Sequence, residues 1–452
     1  MSLDRSYLET IAYLYGLQKH GIKLSLSNSF KLMKILGDPY RKFPTVHVAG
    51  TNGKGSTAAF TAGMLQAAGY RVGLYTSPHL ADFTERIRIN NVPIAEAKVV
   101  KLARRLRDGC GMVTAEDGCG SLNPTFFEVT TALAFAYFAE ERVDIGVIET
   151  GMGGRLDSTN VIKPLVSVIT NIDLEHQEFL GHTIEHIAME KAGIIKAGVP
   201  VVTGAVQPGA IGVIEQEAAA QHAPVYRLWH DFMPKIITPG LPQIFDYHGI
   251  ADSYLAVRIA MLGAYQVDNA SLALAAIECL RNAGMTVGEP ALRRGLEQTR
   301  WEGRLERVAD RPDIYLDGAH NPASAKKLAG AIEKMKTAYR RIILIIGILE
   351  DKDYPGMICE LVPLADHVVV TKPQYFRAMD DRMLAAEIAK LHSFVDRTDT
   401  VESALAKARM AASPDDLILI TGSLYVVGEA RTLFFSWLPG ANCTGALSGL
   451  KG

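Results

Sequence analysis

Residues 45–68 read TVHVAGTNGKGSTAAFTAGMLQAA, and no other stretch of the chain says more about its fold. The apolar run from Thr45 to Ala49 is typical of a buried strand, and the Ala-rich segment after Thr57 is typical of a helix. Three glycines and a lysine lie between them, followed by two hydroxyl residues. Backbone amides in such a loop, together with a helix N-terminus, can surround phosphate oxygens. The stretch predicts a nucleotide-binding loop in an α/β fold.

This loop departs from the strict Walker pattern GxxxxGK[ST]. Val48 occupies the position of the first glycine, and Gly55 separates Lys54 from the first hydroxyl. The alternative is a Gly-rich turn that binds nothing, but a lysine and hydroxyls together favour ATP and a magnesium ion. The residues predicted to surround ATP here are Gly50, Thr51, Asn52, Gly53, Lys54, Gly55, Ser56 and Thr57.

Short apolar runs alternate with helical patterns along most of the chain, which predicts mainly parallel sheets covered by helices on both faces. We predict an N-terminal domain, residues 1–298, with a mainly parallel sheet that carries the phosphate loop. A smaller Rossmann-like α/β domain is predicted for residues 299–452. Residues 205–254, which are irregular and contain several prolines, are expected to form sheet-edge strands and loops. The helical patterns that separate predicted strands include residues 269–285, 288–299, 323–336 and 401–412.

Composition excludes several classes of protein. The formal net charge is -2 and no long basic run occurs, so neither nucleic acid nor an anionic membrane is an expected partner. The 5 cysteines form no CxxC pair and no zinc-like cluster with histidine, which fits free thiols in a reducing compartment. The most apolar segment, RIILIIGIL from Arg341, is about as long as a strand and too short to span a membrane. We predict a cytoplasmic protein without a membrane partner.

Polar side chains follow three further predicted strands. Ser77 follows VGLYT, Glu149 ends VDIGVIE, and His176 lies in NIDLEHQ after VSVIT. Each has an ordinary alternative: Ser77 as a turn residue before proline, Glu149 as a cap for the following turn, and His176 as a surface imidazole. Because the carboxyl ends of parallel strands meet at one edge of a sheet, the three together predict a magnesium site beside the phosphate loop.

Several strings in the chain resemble folylpolyglutamate synthase and dihydrofolate synthase, within the Mur ligase superfamily. The likeness runs from His47 to Arg431 and therefore covers most of the chain. The matching strings are HVAGTNGKGST, YTSPHL, FTERIRIN, FFEVTTALAFAYF, IETGMGGRLDSTNV, EKAGIIK, WEGRLE, DGAHNPASA, DKDY and GSLYVVGEAR.

This resemblance implies an ATP-dependent ligase that joins L-glutamate to a reduced folate, and to dihydropteroate as a second substrate, through an acyl phosphate. Lys54, Lys191 and His176 would be the catalytic residues, with Lys191 carrying a carbamate formed from CO2. The implied magnesium ligands, for two Mg²⁺ ions, are Ser56, Ser77, Glu149, His176 and the Lys191 carbamate. Further ATP contacts are implied at Asn269, Arg304, Asp317 and His320. The implied folate-binding residues are Thr125, Phe126, Phe127, Glu128, Leu156, Asp157 and Ser158.

The resemblance also implies a monomer, with K⁺ as a further cofactor. The chain departs from the family pattern at Leu26-Ser27-Asn28, where the family has Leu-Glu-Arg, and at Glu175-His176-Gln177, where it often has Asp-His-Thr. A peptidoglycan-precursor Mur ligase is an alternative, although residues 1–44 are too few for the UDP-sugar domain expected of one. A non-catalytic P-loop module is another, against which the joint presence of the metal-site residues and Lys191 argues.

Overall fold

The computed structural model of the protein describes residues 3–21, 23–116 and 122–435. The helices are α1 (Leu3–Gly16), α2 (Ser27–Ile35), α3 (Lys54–Ala67), α4 (Glu96–Glu116), α5 (Phe126–Glu140), α6 (Gln177–Leu180), α7 (Ile184–Ala192), α8 (Pro208–Ala220), α9 (Ala264–Asn282), α10 (Glu289–Gln298), α11 (Pro322–Met335), α12 (Tyr354–Leu361), α13 (Asp381–Ala389), α14 (Val401–Ala411) and α15 (Leu424–Phe435). The strands are β1 (Thr45–Ala49), β2 (Val72–Tyr75), β3 (Ile87–Ile89), β4 (Val92–Pro93), β5 (Ile145–Glu149), β6 (Val166–Ile169), β7 (Val201–Thr203), β8 (Val225–Arg227), β9 (Met233–Thr238), β10 (Gln243–His248), β11 (Ser253–Ile259), β12 (Glu306–Ala309), β13 (Asp313–Leu316), β14 (Ile342–Ile346), β15 (His367–Val370), β16 (Val395–Arg397) and β17 (Leu417–Thr421).

The first sheet has eight strands in the order β4-β3-β2-β5-β1-β6-β7-β8. Six neighbouring strands of this sheet are parallel, in the order β2-β5-β1-β6-β7-β8, and β3 and β4 add an antiparallel edge. Helices α3 and α9 bury their side chains with Val46 and Val48 on one face, whereas α5 packs with Tyr75 and Ile148 on the other. The predicted parallel sheet with helices on both faces is therefore confirmed.

The prediction for residues 205–254 was largely wrong. Strand β8 does extend the edge of the first sheet, but α8 precedes it, and β9, β10 and β11 form a separate antiparallel sheet. Prolines suggested loops here, yet Pro208 starts α8 at a position where a helix needs no N–H donor. The small sheet packs on α9 through buried side chains such as Phe245 and Tyr247.

Glu278 fastens this small sheet to α9. Its carboxylate is only 4% exposed and accepts hydrogen bonds from the Tyr247 hydroxyl (2.7 Å) and from the N–H groups of Ile250 (3.2 Å), Ala251 (2.7 Å) and Asp252 (3.1 Å). The turn between β10 and β11 is thus closed on a helix whose first turns reach the nucleotide cleft described below.

We expect Glu278→Gln to lower the free energy of unfolding by about 2–4 kcal/mol, because an amide cannot accept all four hydrogen bonds. Urea denaturation followed by circular dichroism measures this change. Glu289→Gln is the matched control: Glu289 is an exposed helical residue in an ion pair with Arg293, so a change below about 0.5 kcal/mol is expected. Equal changes in the two variants would contradict the assignment.

The second sheet has the order β12-β13-β17-β14-β15-β16, and every neighbouring pair is parallel except β12 with β13. Helices cover both of its faces, which confirms a smaller C-terminal α/β domain. The boundary after residue 298 stays a prediction. In the part of the chain that the structure describes, none of the helices has the length and apolarity needed to cross a membrane.

Candidate active site

The phosphate loop joins β1 to α3, and two of its glycines are required by close neighbours. Gly50 has φ 145°, and a Cβ there would lie 1.9 Å from Thr170 Oγ1. Gly53 caps α3 with φ 83°, and a Cβ there would lie 2.4 Å from Asn269 Oδ1. The backbone therefore lies against β6 on one side and α9 on the other, at a separation that only glycine permits.

Residues at the end of β6 hold the loop in place. The Thr170 hydroxyl donates to the carbonyl of Asn52 (2.6 Å), and the Asn52 N–H donates to the side-chain oxygen of Asn171 (2.7 Å). The Thr51 hydroxyl exchanges hydrogen bonds with the backbone of Asp173 (3.0 and 3.1 Å). The phosphate-binding shape is thus fixed by the protein itself before a nucleotide arrives.

The loop faces a cleft between the two domains, and most of the predicted ATP and metal residues line it. Three of the predicted residues do not line this cleft, because they are buried: Gly50, Thr57 and Lys191. The predicted residues that line it are Thr51, Asn52, Gly53, Lys54, Gly55, Ser56, Ser77, Glu149, His176, Asn269, Arg304, Asp317 and His320.

Two lysines converge on the carbonyl of Gly50. Lys54 Nζ lies 3.0 Å from this oxygen and 3.0 Å from the Thr51 oxygen, and Lys191 Nζ lies 2.7 Å from Gly50 O. Lys191 is only 2% exposed. Burial, and then the charge of Lys54, lower the pKa of Lys191 to about 7. A large fraction of this amine is therefore neutral near pH 7, unlike that of a surface lysine.

Oxygen groups suited to magnesium collect beside the phosphate loop, at the ends of β2 and β5. Glu149 is 4% exposed and accepts a hydrogen bond from the Ser77 N–H (3.0 Å), which places the Ser77 side chain beside the carboxylate. Burial raises the pKa of Glu149, while Lys54 and the Ser77 N–H oppose that rise. The hydroxyls of Ser56 and Ser77 line the same cleft. Hard oxygen donors of this kind fit Mg²⁺.

Among the described residues, no three His, Cys, Asp or Glu side chains gather closely enough to hold an ion by themselves. This agrees with the donor set above, in which hydroxyls accompany one carboxylate. Magnesium commonly completes its shell with water and substrate phosphate, so a protein cage is not required.

A carboxylate joins the two histidines of the site across the domain boundary. Glu175 Oε1 lies 3.6 Å from His176 Nε2 and 3.7 Å from His320 Nε2. Burial disfavours the charged form of Glu175, but the contact with His320 and the charges of Lys54 and Lys191 hold its pKa below the ordinary value. Burial lowers the pKa of His176 to about 4, so this imidazole is neutral at pH 7 and can bind a metal.

The C-terminal domain contributes a loop after β13. Asp317 is buried, and its two oxygens accept the N–H groups of Leu305 (2.9 Å) and Ala319 (2.9 Å), so it shapes the loop that carries His320. Asn321 Nδ2 donates to Asn52 Oδ1 (3.1 Å), and Asn52 Nδ2 donates back over 3.4 Å. The phosphate loop is therefore in direct contact with the second domain.

The predicted folate residues form a neighbouring cluster and do not line the nucleotide cleft. Thr125 and Glu128 form a capping box at the start of α5. Asp157 accepts the N–H groups of Gly151 and Met152 (both 2.9 Å) and both the N–H and the hydroxyl of Thr159, so its oxygens fold the loop after β5. Gly151 lines the cleft, and a Cβ there would lie 2.5 Å from Phe127 Cζ. The two sites therefore adjoin at Gly151. Of the others, Phe126 and Ser158 are buried, and Leu156 is half-buried.

Sequence reasoning missed several residues of the cleft. Tyr265, Gln266 and Lys327 line it, and Gln266 Oε1 accepts a hydrogen bond from Asn269 Nδ2 (2.9 Å). A sequence signal existed for Gln266, because it precedes Asn269 by one helical turn and must share its face of α9. Lys327 gave no such signal, since a lysine in an amphipathic helix normally faces solvent.

Comparison with known proteins agrees with this geometry. The Mur ligase middle domain matches residues 48–277, and the Mur ligase, glutamate ligase domain matches residues 303–424. Together with the phosphate loop, these matches define an ATP-dependent ligase of the Mur type.

The dihydrofolate synthase/folylpolyglutamate synthase of Bacillus subtilis is 40% identical over 432 residues, which cover 94% of this chain and 98% of that protein. The folylpolyglutamate synthase of Lacticaseibacillus casei is 37% identical over 429 residues, with 94% and 98% covered. The Mycobacterium tuberculosis folylpolyglutamate synthase complexed with ADP has a TM-score of 0.88 and 35% identity, with 96% and 99% covered. The chain belongs to the folylpolyglutamate synthase/dihydrofolate synthase family.

Proposed function

We propose that the protein adds L-glutamate to the terminal carboxylate of a reduced folate, using ATP. The observation that carries the proposal is a single cleft with residues of both domains. The phosphate loop, Ser77 and Glu149 line it from the first domain, and Arg304 and His320 line it from the second. The relatives named folylpolyglutamate synthase share more than a third of their residues with the chain over nearly its whole length. The same relatives argue against a peptidoglycan-precursor ligase and against a P-loop module without activity.

The reaction has two steps. The folate carboxylate attacks the γ-phosphorus of ATP and forms an acyl phosphate, with ADP as leaving group. The amine of glutamate then attacks the acyl carbon, and inorganic phosphate leaves. Lys54 and Arg304 would offset the negative charge of the transferring phosphoryl group. Contact between the two domains at Asn52 and Asn321 would help to exclude the water that destroys an acyl phosphate.

Two magnesium ions belong to the proposal. Ser56, Ser77, Glu149 and His176 would hold them, and the ions, when bound, would neutralise phosphate oxygens. A carbamate on Lys191 would add the missing second carboxylate, since the buried amine is partly neutral and can react with CO2. We further propose a monomer in the cytoplasm that also uses K⁺.

Folate would occupy the cluster beside Gly151, with Thr125 to Glu128 on one side and Leu156 to Ser158 on the other. A related solved structure, E. coli FolC in complex with DHPP and ADP, has a TM-score of 0.83 and 29% identity to this chain. The Bacillus subtilis relative carries both activities in its name, so we infer that dihydropteroate is a second acceptor.

The proposal is tested by measuring ADP formation from ATP and Mg²⁺ with each acceptor. We expect continuous, multiple-turnover formation of ADP only when both tetrahydrofolate and L-glutamate are present, with the diglutamate as product in mass spectrometry. Dihydropteroate should give dihydrofolate in the same assay. Turnover with UDP-muramyl substrates, or none with any acceptor, would overturn the assignment.

A further inference from the structure

Arg86 is a buried cation without a carboxylate partner. Its side chain is only 7% exposed, and among the described residues no Asp or Glu oxygen lies within ion-pair distance of it. Within residues 3–21, 23–116 and 122–435 it makes one side-chain hydrogen bond, from Nε to His79 Nδ1 (2.7 Å), and neither terminal nitrogen has an acceptor there. Glu149 acts on this charge only from beyond ion-pair distance. Burying a guanidinium without an ion pair is unfavourable, so its retention points to an anion that binds there.

The surroundings of Arg86 hold it rigidly. Its guanidinium lies over the Phe126 ring (5.2 Å from the centroid), and Tyr15 stacks on the same ring (5.5 Å, 16°). Because His79 Nδ1 accepts from Arg86, the proton of His79 is on Nε2, which faces the Tyr15 hydroxyl at 3.0 Å. The orientation of the guanidinium is thus fixed before any ligand arrives.

Arg86 stands between the two parts of the active site. Its carbonyl accepts the N–H of Thr76 (3.0 Å), and the next residue in the chain is Ser77, one of the proposed magnesium ligands. Its side chain contacts Phe126, the first residue of α5, in the proposed folate cluster. A folate that reaches from the folate cluster to the magnesium site would bring the α-carboxylate of its terminal glutamate close to Arg86, while its γ-carboxylate reacts.

We infer that Arg86 binds the α-carboxylate of the terminal glutamate of the folate acceptor, and so favours glutamylated folates over dihydropteroate. This inference rests on the proposed function. Dihydropteroate has one carboxylate, which must react, whereas a folate keeps its α-carboxylate charged throughout. After each addition the new terminal α-carboxylate would have to move to Arg86 before another glutamate could be joined.

The test compares tetrahydrofolate with its α-carboxamide, which keeps the reacting γ-carboxylate. With the wild-type protein we expect the KM of the amide to be about 10- to 100-fold higher, which is the usual range for one charged hydrogen bond. Arg86→Gln should raise the KM of tetrahydrofolate by a similar factor and leave that of the amide nearly unchanged. The KM values of ATP and glutamate should stay constant in this variant.

Controls separate a binding role from a structural one. Arg86→Gln removes an unpaired buried charge, so its melting temperature should not fall. Arg88→Gln should lower it, because Arg88 is similarly buried but pairs bidentately with Glu302 (3.1 and 3.3 Å). An Arg86→Gln variant that loses affinity for glutamate or ATP and not for folate, or that melts earlier, would overturn the inference.

Two further readouts keep the test decisive. The amide comparison needs only wild-type protein, so it holds even if Arg86→Gln fails to fold. Equilibrium binding of both folates, followed by quenching of tryptophan fluorescence, gives the same comparison without turnover. Equal affinity for the two would refute the role of Arg86, whereas absence of glutamate ligation with intact folate binding would refute only the proposed function.

Discussion

Lys191→Met should lower kcat by about 10³-fold without destabilising the protein. The side chain is 2% exposed and hydrogen-bonded to the Gly50 carbonyl, so a purely structural lysine would be expected to lower the melting temperature when removed. Gly50 O keeps a second donor, Lys54 Nζ at 3.0 Å, and methionine fills the space without a buried amine. Loss of activity with an unchanged melting temperature would therefore indicate a chemical role.

That role is tested directly by ¹³C NMR with ¹³CO2. Carbamate formation requires a neutral amine, and the pKa of Lys191, lowered to about 7 mainly by burial, sets where that form appears. The metal-free protein should therefore show a carbamate signal that grows as the pH rises through about 7, and Lys191→Met should not show it. Lys196→Met is the matched control, since Lys196 is half-buried in the same segment and burial lowers its pKa as well. A signal lost in the Lys196 variant, or absent from the wild type, would contradict the carbamate.

The strand-end residues could be predicted because their placement depends on topology alone. Ser77 and His176 follow parallel strands and Glu149 ends one, and the geometry of an open sheet brings such positions to one edge. The structure gathers all three in one cleft with the phosphate loop. Their side-chain roles stay predictions, since position on an edge does not determine which atom binds a metal.

Burial and pairing could not be predicted, because both depend on contacts between distant segments. A lysine at position 191 has no sequence feature that places it against Gly50, and only the packing of α7 beneath the phosphate loop does so. Asp157 and Asp317 have the residue type of a ligand, yet both accept N–H groups of their own loops. Likewise, only the folded structure shows that Arg86 has no carboxylate partner among the described residues.

The small antiparallel sheet could not be predicted from the positions of proline residues alone. The prolines between residues 205 and 254 suggested edge strands and loops, but Pro208 starts α8 and Pro234 lies within β9, and proline alone does not distinguish a sheet edge from a separate antiparallel sheet. An edge strand of the first sheet and a separate antiparallel sheet differ in which element their apolar side chains pack against. Phe245 and Tyr247 alternate along β10 and pack on α9, a helix whose pattern was predicted to begin at residue 269 and which starts at Ala264.

Lys54→Met should lower kcat by about 10³-fold while weakening nucleotide binding much less. Lys54 is the first residue of α3, and its ammonium folds back onto the carbonyls of Gly50 and Thr51 at 3.0 Å each. It is thus held over the loop, where it can meet charge that develops on a transferring phosphoryl group. The loop amides and the helix N-terminus would still bind the β-phosphate in the variant.

Single-turnover measurement of acyl-phosphate formation, beside the equilibrium binding of a fluorescent ADP analogue, separates the two effects. Lys54→Arg keeps the charge but spreads it over a planar group, so we expect it to recover only part of the rate. Lys327→Met is a suitable comparison, because Lys327 lines the same cleft from the second domain without touching the phosphate loop carbonyls. If Lys54→Met weakened ADP binding as strongly as it slowed the chemical step, the lysine would act in binding and not in phosphoryl transfer.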